Sequence, residues 1–133
     1  MTGLLIADAD MSSRVQMANL FIEAGYNVTV TSNAANTLHG ILKKTAQVIL
    51  ISSEFDDLSA AELIPLLKKC NRDITIILVS DEESIPLIRK ARKEGIFYHA
   101  LRPGTPGDHE ELRQAVQCAF ENLEQHRHRK NED

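Results

Sequence analysis

Five short apolar runs alternate with longer amphipathic segments along this chain, and few folds accommodate that alternation. Gly3–Asp8 is apolar almost to its last residue and reads as a strand buried on both faces. Further strands are predicted at Asn27–Thr31, rich in β-branched residues, at Val48–Ile51, at Ile74–Val79 and, more weakly, at Phe97–Leu101. Between them, Met17, Leu20, Phe21 and Ala24 recur at helical spacing, and Gly25 supplies the stop. Leu38, Ile41 and Leu42 stripe a second helix. Ser59 and Glu62 form a capping box before a third, whose apolar face is Ala60, Leu63, Ile64 and Leu67. Pro65 inside that pattern predicts a kink or a shifted start. A fourth helix is expected from about Asp81 to Lys93, stopped by Gly95 and again containing a proline, Pro86. Asp108 with Glu111 is expected to cap the fifth, striped by Leu112, Ala115, Val116, Ala119 and Leu123, and His126–Asp133 reads as a polar, frayed tail. Five βα units in 133 residues predict an α/β fold: a doubly wound, five-stranded parallel sheet with helices on both faces. It is read as one domain over residues 1–125 with a polar tail over 126–133, without repeats or a linker.

Composition narrows the function classes. With 15 Lys and Arg against 19 Asp and Glu, the formal charge of −4 offers no general attraction to nucleic acid or anionic lipid. No apolar run approaches the ~20 residues of a membrane span, no signal peptide opens the sequence, and a cytoplasmic location is expected. Cys70 and Cys118 lie far apart, without metal spacing and inside apolar helical patterns, so both are expected to be buried thiols. In doubly wound sheets ligands bind beyond the carboxyl ends of the strands, at the switch point. The stretches to inspect are therefore Asp8–Asp10, Ser52–Glu54, Ser80–Asp81 and Arg102–Pro103. A flavodoxin-type cofactor domain or a small enzyme fits them poorly. The first loop, Asp8-Ala9-Asp10-Met11-Ser12-Ser13, is acidic and lacks glycine, and neither G-x-G-x-x-G nor a P-loop occurs. No Ser-His-Asp arrangement presents itself, and no catalytic residue is assigned.

The runs LLIADAD, VILISSEFDDLSAAEL and ILVS, followed by Gly95–Pro103 with Arg102-Pro103 at its end, occur here in a telling order and spacing. In these features the sequence resembles the CheY-like receiver domain of two-component response regulators, from Leu4 to about Leu123. The resemblance implies the (βα)5 receiver, or flavodoxin-like, fold. It also implies an aspartate that accepts phosphate, with Mg²⁺ held by an acidic cluster and a hydroxyl and a lysine on the phosphoryl oxygens. Matched position by position, that site is largely dismantled. The acidic pair after the first strand becomes Asp8 and Ala9, and Asp10 comes one residue further on, where its side chain is expected to point elsewhere. Ser52 stands at the acceptor position. Ser80 matches the switch hydroxyl, but the small residue after it is Asp81. Arg102 replaces the lysine, ahead of Pro103 with a cis peptide bond in view, and His99 replaces the aromatic switch.

A serine hydroxyl forms no acyl phosphate and without a base is a poor nucleophile. Mg²⁺ takes hard oxygen ligands, usually one or two carboxylates, so Asp8 beside Ala9 and Ser52 makes a weak site and no metal is assigned. Asp81 would oppose phosphate, since two charges ~4 Å apart repel by about 4 kcal/mol at an effective dielectric near 20. Arg102 is expected to pair with Asp8 or Asp81 in the space of metal and phosphate. His99 is expected to be a half-buried strand histidine with a satisfied hydrogen bond.

The resemblance then implies a single-domain, degenerate pseudo-receiver in phosphorelay signalling that needs no phosphorylation and acts by protein–protein interaction. Its expected surface is the fourth helix, fifth strand and fifth helix, with Arg89, Lys90, Arg92, Lys93, Glu110, Arg113 and Gln117. Partners would be a sensor kinase, a separate output protein or a second copy docked on that surface. With no room for an output module in this length, a signal is expected to leave through the domain's own surface. The alternative is a working phosphoacceptor regulator with a rearranged acidic site, using Asp10, Glu54 or Asp56 together with Mg²⁺.

Overall fold

A computed structural model describes residues 3–43, 46–52, 59–80, 85–102, 104 and 106–132. Elements alternate without exception: β1 (Gly3–Ala7), α1 (Met11–Glu23), β2 (Asn27–Thr31), α2 (Ala34–Leu42), β3 (Val48–Ser52), α3 (Ala60–Cys70), β4 (Thr75–Ser80), α4 (Ile85–Glu94), β5 (Tyr98–Leu101) and α5 (Pro106–Glu132). The strands form one parallel sheet in the order β2-β1-β3-β4-β5. The chain steps to one side of β1 for β2 and to the other for β3, so the switch point lies between β1 and β3.

The continuous apolar runs are explained by burial on both faces: β1, β3 and β4 are buried at every position. Alternate residues feed two layers. Leu5, Ala7, Ile49, Ile51, Ile76 and Leu78 meet Ala34 and Ile41 of α2, Leu63, Ile64 and Leu67 of α3, and Ala91 of α4. Leu4, Ile6, Val48, Leu50, Ile77 and Val79 meet Met17, Leu20 and Phe21 of α1 and Leu112, Val116 and Ala119 of α5.

Helix ends follow their local chemistry. Asp10, Asn33 and Ser59 are N-caps whose side chains accept from Ser13, Asn36 and Glu62 N–H groups. Gly25 and Gly95, at φ 93° and 97°, close α1 and α4. In each case the next N–H reaches back five residues, Tyr26 to Phe21 and Ile96 to Ala91. α3 runs through Pro65 with its cap at Ser59, so its start is not shifted.

Several expectations are corrected. Ala24 is the C-cap of α1 and is exposed, not part of its buried face. Leu42 is exposed, one residue past Ile41 at the end of α2. Cys118 is exposed because it lies about 120° around α5 from the buried stripe, at 100° per residue; Cys70 is half-buried. α5 begins at Pro106, so Asp108 sits in its first turn and accepts from Gly104 N–H (3.3 Å) instead of capping with Glu111. The helix also continues to Glu132, across the residues read above as a tail. The first residues expected for the fourth helix, 81–84, lie outside the described residues.

Candidate functional site

The register brings the carboxyl ends of four strands together. Ala7 pairs with Ile51, Ser52 with Val79, and Ser80 with Leu101, so Asp8, Ser52, Ser80 and Arg102 gather at one edge of the sheet. Backbone bonds fix the two outer members: Asp8 N–H donates to Thr31 O (3.1 Å) and Arg102 N–H to Ser80 O (2.9 Å).

Asp8 is buried, and its surroundings explain how a carboxylate is kept there. Its Oδ1 accepts from Asp10 N–H at 2.9 Å, a turn of Asx type that bends the chain into α1. Arg14 Nη1 donates to the Asp8 carbonyl at 2.9 Å. The Arg102 guanidinium lies over the pocket, with Nη2 3.8 Å from Asp8 Oδ2 and Nη1 3.8 Å from Asp10 Oδ2. The expected pairing of Arg102 with Asp8 is thus present. Asp10 departs from expectation: its side chain does not point elsewhere but turns back to join the cluster while capping α1. Asp8 Oδ2 and Ser13 Oγ are buried without a hydrogen-bond partner among the described residues, so Arg102 stabilises Asp8 by charge at a distance too long for a hydrogen bond.

Ser52 is buried at the end of β3, and Ala9 is half-buried against the layer of α2 and α3. On the other side, Ser80 Oγ and His99 Nε2 are 2.7 Å apart, and His99 is half-buried on β5. The two residues that the resemblance matches to the switch hydroxyl and the switch aromatic are thus joined by a hydrogen bond. Asp81, Pro103, Glu54 and Asp56 lie outside the described residues.

Among the described residues, Asp8 and Asp10 are the carboxylates of the cluster at this end of the sheet. No group of three or more His, Cys, Asp or Glu side chains capable of holding a metal occurs among the described residues. Both carboxylates face the Arg102 guanidinium at 3.8 Å. Asp8 Oδ2, the oxygen left without a hydrogen bond, is directed at that same charge.

Arg14 is a site residue that sequence reading missed. A signal existed: a basic side chain in the first turn of α1 opposes the helix dipole and calls for another partner. The proposed surface residues Arg89, Lys90, Arg92, Lys93, Glu110, Arg113 and Gln117 are all exposed, and Arg113 lies 3.7 Å from Glu110 one turn back. A cavity of about 530 Å³ lies at the opposite pole, lined by Lys68, Thr75 and Phe97 among others, and has no part in this cluster. Among the described residues no helix is long and apolar enough to cross a membrane.

Known proteins share this architecture. The chain is 29% identical over 105 residues to the DNA-binding transcriptional regulator NtrC of Rhizobium meliloti, covering 77% of this chain and 22% of that protein. It therefore spans about a fifth of the length of the NtrC regulators it matches. It is 21% identical over 113 residues to sporulation initiation phosphotransferase F of Bacillus subtilis, covering 85% of this chain and 89% of that one. Among solved structures, a response regulator receiver domain protein from Clostridium thermocellum superposes with a TM-score of 0.84 at 18% identity, covering 93% of this chain and 98% of that chain. The beryllofluoride-activated NtrC4 receiver domain dimer superposes at 0.82 with 20% identity, covering 92% and 98%. The family model of the response regulator receiver domain matches residues 4–123, and with the 2-1-3-4-5 sheet and its site at the switch point the chain belongs to that family.

Proposed function

We propose that this receiver domain works in two-component signalling without taking up phosphate, and that it passes its signal through protein–protein contacts. One observation carries the reading: the Arg102 guanidinium sits 3.8 Å from both Asp8 and Asp10, as a built-in cation where the family places metal and phosphate. Ser52 at the acceptor position supports it, since a hydroxyl cannot yield an acyl phosphate. The Ser80–His99 hydrogen bond supports it further, because it ties down both elements of the switch without a ligand. The signal leaves through α4, β5 and α5, where exposed Arg89, Lys90, Arg92 and Lys93 offer positive charge and Glu110, Arg113 and Gln117 a mixed polar face. A sensor kinase or a separate output protein is the partner class, in the cytoplasm.

The competing reading is a rearranged phosphoacceptor at Asp10, Glu54 or Asp56 with Mg²⁺. It draws on the buried Asp8 Oδ2, which lacks a hydrogen bond among the described residues. It requires Arg102 to leave the carboxylates before a metal arrives. Intact-mass spectrometry after incubation with acetyl phosphate and Mg²⁺ separates the two. The proposal expects an unchanged mass; a phosphoryl adduct abolished by one carboxylate substitution overturns it.

A further inference from the structure

The cavity of about 530 Å³ lies at the amino-terminal ends of β4 and β5, between the end of α3, the turn after α4 and the side of α5. That volume falls among sites that enclose small molecules, about 300–1,000 Å³. Its lining is of two kinds. Ile74, Ile76, Ile96, Phe97 and Leu123 supply apolar surface, with Ile74 and Ile76 buried and Phe97 39% exposed. Lys68 and Arg72 supply positive charge, against a single carboxylate, Asp73.

Lys68 is drawn into this cavity. It is half-buried, and its Nζ donates to Ile74 O at 3.1 Å. Its Cε lies 3.6 Å from the place a Cβ would take on Gly95, so the side chain reaches from α3 to the turn that closes α4. Burial holds the amine below its ordinary 10.5, and the Asp73 charge offsets only part of that effect. Among the described residues Ile74 O is its one hydrogen-bond acceptor, and no carboxylate lies within ion-pair distance. An ammonium carries three N–H donors, so two remain for a ligand.

From these features we infer that the cavity binds a small amphipathic anion, a carboxylate carried on an alkyl or aryl body. The carboxylate meets Lys68 and Arg72 and gives the half-buried ammonium the charge-assisted hydrogen bonds it otherwise lacks. The body covers Ile96, Phe97 and Leu123 and removes their apolar surface from water. A neutral apolar molecule would strip water from the ammonium without a counter-charge. A small inorganic anion would leave the apolar lining wet. Both halves of the cavity therefore select the same class of ligand. The site stands at the opposite end of the strands from Asp8 and Arg102 and is separate from the switch point.

Amide chemical shifts of the full chain, followed by NMR during titration with octanoate and with phenylbutyrate, test the site. Saturable shifts are expected at Lys68, Ile96, Phe97 and Leu123. Octanol, which lacks the charge, and acetate, which lacks the body, are expected to bind about tenfold more weakly or worse. Lys68→Gln keeps a donor for Ile74 O but loses the charge, and Asn122→Trp, at an exposed position of α5, fills the cavity. Each is expected to weaken binding about tenfold or more, with circular dichroism confirming that the fold is retained. Lys43→Gln, at the end of α2 and outside the cavity, leaves the affinity unchanged. The site is overturned by the absence of saturable shifts in the millimolar range, or by octanol binding as tightly as octanoate. It is overturned equally by an affinity that neither Lys68→Gln nor Asn122→Trp moves, or that Lys43→Gln weakens as much as they do. None of these results bears on phosphate uptake, which the mass measurement reads separately.

Discussion

Arg102 places its guanidinium charge 3.8 Å from the carboxylates of Asp8 and Asp10. Asp8 is almost fully buried, and among the described residues its Oδ2 has no hydrogen bond, so removing the guanidinium leaves a buried carboxylate without charge compensation. Arg102→Ala is expected to destabilise the fold by about 1–3 kcal/mol, read as a lower midpoint in urea unfolding. An unchanged midpoint would show that the ion pair contributes nothing to stability. The Asp8 pairing was legible because Asp8 and Arg102 both lie at strand ends of a doubly wound sheet. The part played by Asp10 was not legible. Its direction is set by the turn in which Asp8 Oδ1 accepts the Asp10 N–H and by the cap to Ser13, and residue spacing encodes neither. The exposure of Cys118 was legible in principle, since the residue falls outside the stripe formed by Leu112, Ala115, Val116 and Ala119.

At the scale of elements, β5 is joined to α5 by a bond that sequence patterns did not announce. Tyr98 Oη donates to Glu111 Oε1 at 2.8 Å. That hydrogen bond, then partial burial and the Glu111 charge, raise the Tyr98 hydroxyl above its ordinary 10.0. Because the folded value lies above the unfolded one, the associated stability is fully present below pH 10 and is lost as pH rises through the folded value. Glu111→Gln is expected to return Tyr98 toward its ordinary value. The phenolate absorbance of the Glu111→Gln chain, titrated in a Tyr26→Phe background, measures this, and an unmoved titration would refute the assignment. Glu111 was expected to pair with Asp108 in a cap, a misreading with a physical cause. α5 starts at Pro106, which places Asp108 inside the first turn and turns Glu111 toward β5. Caps and stops closest to unbroken apolar patterns, Ser59 before α3 and Gly25 after α1, matched the sequence reading because their chemistry is local.

The whole molecule is two apolar layers sharing one sheet. Ile49 and Leu50 are neighbours on β3, fully buried, and point into opposite layers. Ile49→Ala and Leu50→Ala should each cost about 2–5 kcal/mol within a single cooperative transition by calorimetry. Two resolved transitions in either variant would mean that the layers unfold independently. The alternation of apolar runs with amphipathic segments was enough, by itself, to determine the element order, the parallel sheet and the central strands. Those features depend on periodicities of two and 3.6 residues, which are written locally in the chain. The carboxyl ends of the strands could be singled out as the candidate site from the same alternation, through the doubly wound topology it implies. Only the tertiary structure decided what the site became. The guanidinium across Asp8 and Asp10 and the serine–histidine bond from β4 to β5 both depend on register between separate strands and on rotamers. Register and rotamer are set by packing among residues distant in the chain, and a one-dimensional pattern of apolar and polar residues does not carry that information.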